Sequence, residues 1–102
     1  MAKTESLEVR REPAEPPHEG RYVIRLGEGV EAELLYSRLD AATVSADRTF
    51  TPPAARGKGL ADKLVVALVN DARRDGFRIR PACSYVARWF DLHPEAVDLR
   101  AS

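Results

Sequence analysis

The sequence is short of sulfur and of imidazole: it has one cysteine, Cys83, one methionine and two histidines, His18 and His93. A lone cysteine excludes an internal disulfide and points to a reducing, cytoplasmic setting. No stretch approaches the roughly 18 apolar residues of a membrane-crossing helix, so no membrane association is expected. The first residues lack an apolar signal segment, so export is not expected either. An excess of charge of either sign is also missing. Lys plus Arg and Asp plus Glu number 16 each, for a net charge of zero. That balance excludes the basic field of a general nucleic-acid binder. No metal site is expected.

What remains is an ordinary globular composition, 44% hydrophobic and 31% charged, over 102 residues. That length makes one domain and can bury a core without staples. The charge is unevenly spread: within residues 56–80, seven basic residues face only Asp62, Asp71 and Asp75.

Residues 1–20 are rich in Glu, Arg and Pro and read as a flexible N-terminal tail, with a short strand near residues 7–9 and a solvated His18. The domain proper is expected over 21–102. Residues 21–26 alternate, with Tyr22, Ile24 and Leu26 on one face, and so read as a strand. Gly27-Glu28-Gly29 turns the chain into a second strand over 31–37, giving an antiparallel hairpin. A turn at 38–40 leads to a third strand over 43–51, which Pro52-Pro53 stops because proline cannot donate to a ladder. A helix follows over 58–75, where Leu60, Leu64 and Leu68 recur every four residues beside Ala61, Val65, Val69 and Ala72. Gly76 ends it, and Arg73 and Arg74 suit its negative end. Residues 77–82 read as a strand with Phe77 and Ile79 inward. Ser84 is placed to cap a second helix with Tyr85, Val86, Trp89 and Phe90 on its apolar side, ending at His93 before Pro94. The order β-β-β-α-β-α predicts an α/β fold: a small, mostly antiparallel mixed sheet with two helices and one helical crossover.

The start of the long helix is unusual. It has no Ser, Thr, Asp or Asn cap, and it carries Arg56 and Lys58, which oppose the helix dipole by roughly 0.3–1 kcal/mol each. Gly57 and Gly59 leave backbone N–H groups unobstructed for an anion such as a phosphate. The segment is not a GxxxxGK[ST] phosphate loop. It also lacks the third glycine and first-strand setting of a dinucleotide-binding fingerprint.

Arg56-Gly57-Lys58-Gly59-Leu60-Ala61 resembles the Arg/Gln-x-x-Gly-x-Gly/Ala signature of the GNAT N-acetyltransferases. Downstream, Pro81-Ala82-Cys83-Ser84-Tyr85-Val86, Trp89-Phe90 and His93-Pro94-Glu95 resemble the compact, single-domain YjdJ-type branch. The resemblance spans residues 21–99. It implies acetyl-CoA as acyl donor, with Arg56, Gly57, Lys58, Gly59, Leu60 and Ala61 at the pyrophosphate and Phe50 and Thr51 on the strand beside the pantetheine arm. That branch tends to carry His-Thr on the strand before the loop, where this chain has Arg48-Thr49; an arginine cannot serve as a base at neutral pH.

Two catalytic candidates follow. Cys83, before a helix, is either a thiolate that takes the acetyl group or a small residue lining the pocket. Tyr85 is either a proton donor to the departing thiolate or a packing residue. His93 has the chemistry of a base but sits at a helix end, and Trp89 and Phe90 read as core. The implied reaction is acetyl transfer from acetyl-CoA to an amine. The short loops at 27–29 and 38–40 leave an open acceptor site that would admit a protein lysine or N-terminus. The alternative is a non-catalytic module that binds or senses acyl-CoA through the same loop.

Overall fold

The computed structural model describes residues 8–101. Five strands, β1 (Val9–Pro13), β2 (Gly20–Gly27), β3 (Val30–Asp40), β4 (Thr43–Phe50) and β5 (Arg78–Pro81), form one sheet in that order. Neighbours from β1 to β4 pair antiparallel, and β4 pairs with β5 in parallel. Helix α1 (Leu60–Asp75) makes the crossover between β4 and β5, and α2 (Ser84–Leu92) follows β5. Short 3-10 turns occupy Pro53–Ala55 and Pro94–Leu99. This is the mixed, mostly antiparallel α/β sheet expected from the alternation and the strand–helix–strand order.

The core lies between the sheet and the helices. Tyr22, Ile24, Ala32, Leu34, Val44 and Ala46 present one sheet face to Leu60, Leu64, Val65, Leu68 and Ala72 of α1, all of them buried. Burying a Leu, Ile or Val side chain contributes roughly 1.5–3 kcal/mol, so this stripe sets how α1 sits on the sheet. Val86, Trp89 and Phe90 of α2 close the core at the β5 end. Gly76 ends α1 as expected, its N–H donating to Ala72 O at 2.8 Å.

Several boundaries differ from the sequence reading. Val9–Pro13, placed in the flexible tail, is the edge strand β1, registered Val9 to Ile24 and Glu12 to Arg21. Ion pairs hold it, and an alternation search cannot see them: Glu12 meets Arg21 at 3.1 Å, and Arg11 meets Asp71 of α1 at 3.3 Å. Leu7, where that short strand was expected to begin, lies outside the described residues. His18, expected to be solvated, is half-buried, with Nδ1 at 2.9 Å from Asp47 Oδ2. The turn expected at 38–40 falls after β3 instead, where Asp40 Oδ1 accepts from Ala42 N–H at 2.9 Å. Helix α1 starts at Leu60, not at residue 58, because Gly57 and Gly59 both adopt positive φ, 86° and 75°. Ser84 is the first helical residue of α2 rather than its cap; Cys83 takes the cap position without a side-chain hydrogen bond.

Candidate active site

The parallel ladder of β4 and β5 ends at the pair Ala46 and Pro81. Beyond it β4 continues to Phe50, while the other chain turns away into α2. Cys83 N–H makes the last link, donating to Ala46 O at 2.9 Å. Among the described residues, no strand lies beside the β5-side edge of β4 past residue 46, and a cleft of about 500 Å³ opens there. It lies outside the carboxyl ends of the parallel pair, where open α/β sheets place ligands.

Four segments form its walls. Strand β4 and the residue after it supply Thr49, Phe50 and Thr51; the connecting loop supplies Ala55, Arg56, Gly57 and Gly59. The first turn of α1 gives Leu60 and Ala61, and α2 gives Tyr85. The cleft thus gathers all the residues expected at the acyl donor except Lys58, which is exposed outside it.

The α1 end has the properties of an anion site. Gly59 is the N-cap and makes no side-chain cap bond, and the first intrahelical bond runs from Lys63 N–H to Gly59 O at 3.1 Å. The N–H groups of Leu60, Ala61 and Asp62 precede that first bond and so have no partner within the helix. The dipole adds partial positive charge at the same place. Asp62, the one acidic group in that turn, is engaged: the Trp89 indole N–H donates to its Oδ1 at 2.9 Å. Arg56 is less free than the sequence implied, because its Nε donates to Thr51 O at 3.1 Å.

At the other end, Cys83 and Tyr85 enter from the N-terminus of α2. Cys83 is half-buried, and its thiol donates to Thr49 Oγ1 at 3.4 Å. Burial pushes its pKa up, but the hydrogen bond it shares with the Thr49 side chain and those with the backbone of Val86, Tyr85 and Thr49 outweigh this, so the thiol titrates below its ordinary value. Tyr85 moves the other way: burial and then the Asp62 charge raise its pKa and keep its proton on. Cys83 does not itself line the cleft; it stands behind Thr49. His93 lies apart, stacked on Trp89 at 4.0 Å between ring centroids and bonded to Glu95 at 2.9 Å. Thr49 and Ala55 are the lining residues that the sequence reading did not place at the site; of the two, Thr49 carries a functional group. Its signal was available, since it follows Arg48 at the His-Thr position of the resembled branch.

The parallel strand pair of this α/β protein parts beside a helix N-terminus that has no side-chain cap, a place whose chemistry suits an anion. Residues 21–99 match the sequence model of the GCN5-related N-acetyltransferases, and the chain belongs to that family. It is accordingly an enzyme of the N-acetyltransferase class. No curated protein matches the chain. Its fold is similar to the solution structure of a Staphylococcus aureus protein described as GCN5-like, with a TM-score of 0.72 and 23% identity over 97% of this chain and 92% of that one. At that identity the likeness concerns the fold.

Proposed function

We propose that the cleft beside β4 binds acetyl-CoA and that a neutral amine attacks its thioester there directly. One observation carries the reading: the residues of the Arg56–Ala61 motif other than Lys58 and the free edge of β4 line one cleft. The pyrophosphate would sit on the N–H groups around Gly57, Gly59, Leu60 and Ala61, with Arg56 and Lys58 adding charge. The pantetheine arm would run along Thr51 and Phe50, whose strand edge is open. The thioester would then lie between Thr49 and Tyr85, with Cys83 behind Thr49. The amine nitrogen forms the new C–N bond, the C–S bond breaks, and the Tyr85 hydroxyl supplies a proton to the departing sulfur. Much of the rate would come from holding the two reactants together.

The finer reading goes with this proposal. Residues 21–102 would form the acyl-CoA-binding unit, with β1 completing its edge. The Cys83-x-Tyr85 and His93-Pro94-Glu95 pattern supports the YjdJ-type branch. A short loop at 27–29 supports a bulky acceptor, such as a protein lysine or N-terminus, and the single cysteine supports a cytoplasmic setting.

Calorimetry with acetyl-CoA tests the site. Gly59→Glu places a carboxylate where the pyrophosphate should lie, and binding should be lost. Gly59 has φ of 75°, so any side chain there adds strain. Gly59→Ala, which shares that strain without the charge, is the control and should still bind. Equal affinity for wild type and Gly59→Glu would sink the assignment.

A further inference from the structure

We infer that the Thr49 hydroxyl is a hydrogen-bond donor to the carbonyl oxygen of the acyl group, and that Cys83 is the residue that aims it. The inference rests on the reading of the cleft as the acetyl-CoA site.

The argument begins with the alternation of β4. Thr49 pairs with Leu34, which is fully buried on the helix-facing side of the sheet. Its neighbours Arg48 and Phe50 point the other way, the Arg48 guanidinium lying 6.0 Å from the Phe50 ring centre. Thr49 therefore turns its side chain to the cleft and to Cys83, and it lines the one and bonds the other. A hydroxyl has one hydrogen to give and two lone pairs to accept with. The Cys83 thiol donates to Thr49 Oγ1 at 3.4 Å, which occupies a lone pair and leaves the hydroxyl hydrogen unspent. The same cysteine is anchored through its backbone, Cys83 N–H to Ala46 O at 2.9 Å, so the thiol is held from a fixed point at the place where β4 and β5 part. The remaining hydrogen is available to the cleft.

The α1 N-terminus, Thr49 and Tyr85 line one cleft, and Thr49 stands where β4 and β5 part. An acyl group on an arm anchored at the α1 N-terminus and laid along β4 would come to Thr49. Tyr85 and Thr49 then divide the work. As the amine nitrogen bonds to the carbonyl carbon, the C=O electron pair moves onto oxygen, and Thr49 O–H donates to that oxygen. When the pair returns, the C–S bond breaks and the sulfur takes the Tyr85 proton. The proton lost by the nitrogen goes to water, and water returns one to Tyr85. Thr49 keeps its own proton throughout, and Cys83 forms no bond to the acetyl group. A donor aimed at charge that develops only in the transition state acts on kcat and leaves ground-state binding alone.

The test uses the full chain with acetyl-CoA and hydroxylamine, an amine small enough to need no acceptor pocket, following loss of thioester absorbance above the uncatalysed rate. Thr49→Val keeps the shape and removes the donor; kcat should fall at least tenfold, while KM and the calorimetric Kd for acetyl-CoA stay within twofold. Thr49→Ser should restore most of the rate. Cys83→Ala should lower kcat several-fold with unchanged Kd, and wild-type protein incubated with acetyl-CoA alone should carry no acetyl group on Cys83 by intact mass. Wild-type kcat in Thr49→Val, or a loss of affinity that accounts for its loss of rate, overturns the donor role. Acetyl-Cys83 discharged by hydroxylamine at the turnover rate overturns the aiming role in favour of a covalent one. Failure of wild type to bind acetyl-CoA at all fails the cleft assignment itself, and this inference falls with it.

Discussion

Gly57 and Gly59 bracket Lys58, and their positive φ angles throw its side chain out of the cleft while keeping the backbone of the loop at the helix end. Lys58 makes no hydrogen bond or ion pair among the described residues, whereas Arg56 holds Thr51 O. The two basic residues, equivalent in the sequence, therefore separate in their effects. Lys58→Ala should leave the unliganded protein within about 0.5 kcal/mol of wild type, as befits an exposed site without contacts. It should weaken acetyl-CoA by roughly 1 kcal/mol, about fivefold, at low salt, with the difference shrinking as salt screens it. Thermal denaturation and calorimetry at two salt concentrations check this; a destabilised apo protein would mean that Lys58 has a structural role. At this scale the loop residues were legible because glycine and an absent cap are local signals. Thr49 was legible only as a position, through the Arg48-Thr49 pair; its link to the thiol of a residue 34 positions away was not.

The least legible element was β1. Its sequence, VRREP, offers one apolar residue and a proline. What fixes it is a lattice of charges on the sheet face away from the helices. Arg21 contacts Glu31 and Glu33 at 2.9 Å each and Glu12 at 3.1 Å, and Arg25 contacts Glu12 at 2.6 Å. Cross-strand spacing brings these groups together only once the register is set, so no window along the chain reveals them. The bond from Arg25, and then that from Arg21, lowers the Glu12 pKa from an ordinary 4.5 to about 2. A carboxylate depressed on folding adds stability that is fully present above its unfolded value and lost as pH falls towards its folded one. Glu12→Gln should therefore lower Tm at neutral pH. The gap to wild type should hold down to about 4.5 and close between there and about 2. A gap independent of pH in parallel melts would show that the ion pairs are not what holds β1.

Over the whole molecule, the meander from β2 to β4 could be read from period-two alternation, and α1 from its stripe, because both are local patterns. The pairing of Thr43–Phe50 with Arg78–Pro81 could be expected from the strand–helix–strand order, but its register, Val44 to Ile79, could not. Residues of the two strands meet only after α1 has packed across the sheet. That ordering bears on how the chain folds. Antiparallel neighbours joined by short turns close at small entropic cost, while the parallel pair must wait for a crossover. Ile79→Val, at a fully buried position in β5, should cost about 1 kcal/mol. The loss should appear chiefly as faster unfolding, with the refolding arm of a chevron barely moved. Leu34→Ala in the meander should slow refolding instead, and the reverse pattern in stopped-flow kinetics would refute this order. The last contacts to form are then the ones that shape the cleft. If that order holds, a chain emerging during synthesis would have no cleft until β5 docks, and a ligand bound there, acetyl-CoA on the reading proposed above, would act as a latch on the finished fold rather than a guide to it.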